Sequence, residues 1–251
     1  MASSDILQEV EAFVFDVFGT TVDWHTTVSR QIQQRSHGLI SDSGDAAAFA
    51  EEWRDGYKTN VRRIAEGGEG SLNIDVVHRQ ILDTMLESPR WTHLSSVWSE
   101  EERQDLSQIW HRLDGYSDTS KGLEALKKNK IIATLSNGNT RLLIDMAKHA
   151  NLPWDAIFSA EMFSSYKPNP KVYLGAAYHL SLPPHKIALV AAHIYDLRGA
   201  ASAGFKTVYV PRPSEDSPTV RAEVRMKKDG GEVDLIVESF LELAQLVSAK
   251  E

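Results

Sequence analysis

The chain reads as an α/β fold, a Rossmann-like doubly wound parallel sheet with a helical cap inserted after the first strand. Two observations carry that expectation. Short runs that are apolar throughout recur along the sequence with helical periodicities between them, as strands buried on both faces of a parallel sheet require. The interval 22–113, by contrast, has helical periodicity and no convincing strand, so it is read as an insert. The expected organisation is an α/β core over 1–21 and 114–251 and a helical cap over 22–113.

The elements follow in order. Residues 12–18 (AFVFDVF) are β-branched and aromatic and make the first strand, and 131–135 (IIATL), 187–192 (IALVAA), 207–210 (TVYV) and 234–237 (DLIV) repeat the pattern, with a shorter candidate at 156–159. Helical patterns over 121–128, 140–150, 170–180, 196–203 and 239–249 alternate with them. Inside the insert the candidate helices are 28–35, 46–65, 74–86 and 100–113. They are broken by Gly67, Gly68, Gly70 and Pro89, which signal turns. Residues 211–218 (PRPSEDSP) read as a loop.

Composition narrows the chemistry. With 27 basic and 35 acidic residues the net charge is −8, which offers no electrostatic footprint for a nucleic-acid backbone. The cysteine count of zero excludes a disulfide framework, a thiolate nucleophile, a thiolate-rich zinc site and an iron–sulfur cluster. The first twenty residues carry acids where a leader peptide needs a basic flank, no run approaches a membrane span, and the expected location is the cytosol.

In an open parallel sheet ligands bind beyond the carboxyl ends of the strands, so polar residues that end an apolar run are the candidates. Four endings stand out: Asp16 before Gly19 and Thr20; Ser136 and Asn137 before Gly138; the Lys167-Pro168 pair; and Ala191, Ala192 and His193 with Asp196 just beyond. Each also has a plain reading as turn or cap chemistry. Arg54 has one too, since Glu51, Glu52 and Asp55 are its neighbours on a helix, and Trp53 and Tyr173 read equally as core aromatics. The other histidines, His25, His37, His78, His93, His111, His149, His179 and His185, lack metal-ligand spacing and read as surface or satisfied core residues.

Taken together, Asp16 in VFDVFGT, Ser136-Asn137 in LSNGN, Lys167 and Tyr173 in YKPNPKVY, and Asp196 resemble the haloacid dehalogenase superfamily over nearly the whole chain. Phosphatases of that superfamily carry a second aspartate two positions after the nucleophile; here that position is Phe18. Their neighbouring pair of acids after the fourth strand is reduced to Asp196. A halide leaves as a weakly basic anion and needs no proton, so both departures favour carbon–halogen chemistry, without magnesium or another cofactor. Trp53-Arg54 in FAEEWRDGY matches the Trp-Arg pair of the type II L-2-haloacid dehalogenases, whose arginine reaches the halogen. Where bacterial members have Ser-Ser-Asn, this chain has Ala191, Ala192 and His193, and His193 is expected to serve as a hydrogen-bonding group or a base.

The resemblance implies a small haloacid as substrate and Asp16, Arg54, Lys167, Asp196 and His193 as catalytic residues. Asp16 attacks C2, Arg54 and Asn137 take the halide, Ser136 and the amides after Asp16, from Val17 and Phe18, hold the substrate carboxylate, and Asp196 activates water. Thr20 and Tyr173 position Asp16 and Lys167, and Phe18, Trp53 and Tyr195 wall the pocket. A homodimer is what the family implies for assembly. Three alternatives stay open at this point: a phosphomonoesterase, a non-catalytic protein of the same fold, and attack on another electrophile such as fluoroacetate.

Overall fold

A computed structural model describes residues 7–249; residues 1–6, which open the segment judged above for leader character, and 250–251 lie outside it. Its centre is a six-stranded sheet in the order β3-β2-β1-β4-β5-β6, every pairing parallel. The strands are β1 (Ala12–Phe15), β2 (Ile131–Ser136), β3 (Ala156–Ser159), β4 (Ile187–Ala191), β5 (Lys206–Tyr209) and β6 (Leu235–Ile236). All four β1 side chains and all five of β4 are buried, which explains their uniformly apolar sequences. The strand order reverses about β1, which lies between β2 and β4 with Phe15 opposite both Thr134 and Val190. A crevice opens there beyond the carboxyl ends.

Four helices lie between β1 and residue 111: α1 (Trp24–Arg35), α2 (Ser43–Ala65), α3 (Ile74–Glu87) and α4 (Glu100–Ser107). Asp23, Asp42, Asn73 and Ser99 cap their first turns, and Ser99 and Glu102 form a reciprocal capping box. Six further helices flank the sheet: α5 (Thr119–Leu126), α6 (Thr140–His149), α7 (Pro170–Leu180), α8 (Ile194–Ser202), α9 (Pro218–Glu223) and α10 (Phe240–Ser248). Gly122 of α5 lies so close to Phe240 of α10 that a side chain there has no room, and Phe240 in turn meets Phe15 with ring centres 5.1 Å apart. Among the described residues no helix is long and apolar enough to cross a membrane.

Several boundaries differ from expectation. The first strand stops at Phe15 rather than 18, because the carbonyl of Val17 accepts the amides of Thr21 and Val22 and turns the chain, with Gly19 at φ +82°. The pattern over 100–113 divides into α4 and a 3-10 turn at Gln108–His111. Residues 211–217 do form a loop, but Ser217 caps α9 and Pro218 begins it.

The first four helices are tied to the loops that follow the strands. Tyr166 donates to the carbonyl of Ser71 at 3.0 Å and Asn169 to that of Ala65 at 3.4 Å. His111 sits between Asp75 of α3 (2.9 Å) and Asp145 of α6 (3.0 Å), and Asn139 donates to the other oxygen of Asp75. Burial opposes a charged ring at His111, yet the two carboxylates outweigh it and raise its pKa. A raised folded-state pKa contributes stability that is complete below the ordinary histidine value and is lost as pH rises through the raised one. Thermal unfolding followed against pH is therefore expected to show a decline in Tm above about pH 6.5 that is shallower in His111→Gln.

Candidate active site

Asp16 is the residue after β1 and is 7% exposed. Its Oδ1 accepts from Lys167 Nζ at 2.9 Å; its Oδ2 accepts from the Thr20 hydroxyl at 2.7 Å and faces His193 Nδ1 at 3.1 Å. Lys167 also pairs with Asp196 in the first turn of α8, and Tyr173 of α7 donates to the other Asp196 oxygen at 2.6 Å. An ammonium is thus shared by two buried carboxylates from different strand ends. Burial works against the anion of Asp16, but Lys167 and the hydrogen bonds from His193 and Thr20 hold its pKa well below the carboxylate range. The Lys167 pKa is raised, burial being outweighed by Asp16 and Asp196, so it stays protonated. Asp196, more completely enclosed and facing Asp16, moves upward.

Asn137 explains how Lys167 is aimed. Its Oδ1 accepts the Lys167 amide at 2.7 Å and its Nδ2 donates to the Lys167 carbonyl at 3.3 Å, so the end of β2 clamps the backbone of the loop before α7. Its amide, expected to face the halide, spends one N–H on that carbonyl. Ser136, expected to hold a carboxylate, is buried with its hydroxyl accepting the Gly138 amide in the turn. Thr20 does position Asp16, and its oxygen accepts the Ala192 amide at 2.9 Å.

Arg54 does not lie on a wet face. It is 3% exposed, its Nε and Nη1 have no hydrogen-bond partner, and Nη2 reaches only the Phe18 carbonyl at 3.5 Å. No carboxylate among the described residues pairs with it; the rings of Tyr57, Phe18 and Trp24 surround its guanidinium at 4.7–5.4 Å. Trp53, expected as a pocket wall, turns the other way: its indole donates to the His78 carbonyl at 3.0 Å among Phe49 and Trp110. Helical neighbours point about 100° apart, which sends one inward and one to the site. His78 corrects another expectation, being buried between the faces of Tyr57 and Trp110 with neither ring nitrogen bonded. Burial holds it neutral.

A cavity of about 380 Å³ runs from α2 to this cluster, lined by Tyr57, Val61, Asn137, Lys167, Pro168 and the half-exposed Tyr195. A larger hollow of about 610 Å³, lined by Asp23, Trp24, Lys58, Tyr116 and Ser214, reaches none of Asp16, Lys167 or Asp196.

Glu215 was missed by the sequence reading. It lies in the loop after β5, where its Oε2 meets His193 Nε2 at 2.6 Å and its Oε1 accepts the Trp24 indole at 2.6 Å. Applying the rule of strand ends to the fifth strand points to PRPSEDSP and so to this acid. Beside it Arg212 donates to the Thr20 carbonyl and, with both terminal nitrogens, to Asp118. His193 is 4% exposed; burial alone depresses its pKa, but Asp16 and Glu215 overcome that and push it up to about 9. It rests as a cation, which suits the first of its two expected roles, hydrogen-bonding group or base.

A family model for haloacid dehalogenase-like hydrolases matches residues 10–204, and the chain belongs to that family. Among solved structures, an L-2-haloacid dehalogenase is 36% identical, covering 95% of this chain and 100% of its own, with a TM-score of 0.81. A defluorinating L-2-haloacid dehalogenase is 34% identical over 95% of each chain, with a TM-score of 0.83. The (S)-2-haloacid dehalogenase 4A of Burkholderia cepacia is 28% identical over 214 residues, 82% of this chain and 85% of its own.

Gly19 admits Glu215. A Cβ there would fall on the Glu215 carboxylate, and its φ of +82° disfavours any side chain. Gly19→Ala is expected to lower the unfolding free energy in urea by at least about 1–2 kcal/mol from the backbone alone, with more from displacing Glu215.

Proposed function

We propose that the protein hydrolyses short 2-haloacids to 2-hydroxyacids and halide through an ester on Asp16. The single observation that carries this reading is the unpaired guanidinium of Arg54, packed on Phe18 two residues after the buried, ionised Asp16. Holding a charge out of water costs several kcal/mol, and the surrounding rings offset part of it but leave Nε and Nη1 with no acceptor. Arg54 is therefore a site that an anion completes. The place where a leaving halide gathers charge is such a site.

Asp16 attacks C2 from the side opposite the halogen, the C–X bond breaks as the C–O bond forms, and configuration inverts. Lys167 and Thr20 hold the carboxylate for in-line attack. The amides after Asp16, from Val17 and Phe18, receive the substrate carboxylate, and Tyr57 and Tyr195 keep bulk water from the reacting carbon. Water, deprotonated by Asp196, then attacks the acyl carbon of the ester. Phe18 supports halide over phosphate as the leaving group: at the position of a phosphatase acid it presents a ring to Arg54 at 5.4 Å. Activity of this kind on a chain without cysteine suits a reducing compartment, and we place it in the cytosol.

The test is halide release from L- and D-2-chloropropionate, chloroacetate and fluoroacetate with EDTA present. Release from the L enantiomer is expected, with none from Asp16→Asn; no halide from any substrate contradicts the reading. Arg54→Met is expected to lower kcat by about 10²-fold or more without lowering Tm, because it removes an unpaired buried charge. A fall in Tm would mark Arg54 as structural.

A further inference from the structure

The two oxygens of Asp16 are not equivalent. Oδ1 has a single donor, Lys167, whereas Oδ2 is held by the Thr20 hydroxyl and by His193 Nδ1. We propose that Oδ1 is the attacking oxygen and that Thr20 and His193 form an oxyanion hole for Oδ2 in the ester-hydrolysis half of the reaction, with Glu215 as the residue that keeps His193 aimed and protonated. The inference rests on the covalent scheme above and assigns the second step to residues of its own.

The steps balance. When Oδ1 bonds to C2 and halide leaves, Oδ2 remains the carbonyl oxygen of the ester and keeps both donors. Water then adds to the acyl carbon, its proton passes to Asp196, and the carbonyl π pair moves onto Oδ2. Negative charge thus appears on the atom that already has two donors at 2.7 and 3.1 Å, within the range in which such groups stabilise a tetrahedral intermediate. Collapse of that intermediate breaks the bond from the acyl carbon to Oδ1. The product alkoxide takes the proton from Asp196, and Asp16 recovers two oxygens, one of them from water. The second proton of that water leaves as Asp16 returns to its carboxylate.

Glu215 matters most in the middle of this sequence. In the resting enzyme His193 faces two carboxylates, Asp16 and Glu215, with the ring of Tyr195 alongside, Lys167 and Asp196 beyond Asp16, and Arg54 acting on Glu215. Esterification removes the charge of Asp16. Glu215 is then the carboxylate left in contact with the ring among the described residues, itself fixed by the Trp24 indole and admitted by Gly19. His193 stands where the resemblance places an asparagine, so this donor departs from that pattern.

The test separates the two half-reactions with L-2-chloropropionate. His193→Ala is expected to release one chloride per active site at no less than the wild-type rate, then to turn over about 10²-fold more slowly. Mass spectrometry of the digested protein should show a 1-carboxyethyl ester accumulating on the peptide that contains Asp16. In Glu215→Gln the alkaline limb of kcat, expected at or below about 9 in the wild type, should move to lower pH, since the neutral amide no longer stabilises the imidazolium. A burst in His193→Ala slowed by the same factor as turnover, with no adduct, overturns the proposal, and so does an unmoved limb in Glu215→Gln. Absence of chloride and of adduct from the wild type overturns the dehalogenation reading beneath it. Chloride release by the wild type with no burst in His193→Ala overturns the oxyanion role alone.

Discussion

The structure turns on the ammonium of Lys167, which pairs with Asp16 and Asp196 inside the protein. Two enclosed carboxylates so placed repel each other, and removing the cation between them leaves an uncompensated charge worth roughly 3–5 kcal/mol. Four strand ends converge to make the arrangement. β1 delivers Asp16, the loop after β4 leads to Asp196, the stretch beyond β3 supplies Lys167, and Asn137 at the end of β2 grips the Lys167 backbone. The crossing of strand order at β1 is what brings these ends together.

Around that pair the charges are balanced but not evenly distributed. Arg54, Lys167 and His193 oppose Asp16, Asp196 and Glu215, yet Arg54 alone lacks a carboxylate contact. A haloacid brings one negative charge, esterification removes that of Asp16, and departure of the halide restores the balance. The covalent intermediate is thus as neutral as the resting site. This matters in an enclosed cluster, where net charge is costly.

Much of this was legible in the sequence because burial on both faces leaves an unmistakable apolar run, and a carboxylate interrupting one, as at Asp16, has few structural reasons to be there. Asn137 was visible as a site residue but not in its role, since a side-chain amide declares nothing about which backbone it grips. Trp53 and Arg54 share a helix and a plausible motif, and only the 100° between neighbours separates core from site. Glu215 sits in a polar loop that looks like solvent-exposed chain; its meaning comes from His193 and Trp24, distant in sequence and brought to it by folding.

The central claim is that Asp16 is the nucleophile and that water attacks the enzyme rather than the substrate. A single turnover in ¹⁸O-labelled water, with enzyme in excess over L-2-chloropropionate, tests it most directly. The account predicts unlabelled lactate and one ¹⁸O in the peptide that contains Asp16. Label in the lactate with none in the peptide would mean direct attack of water on C2, and would contradict it.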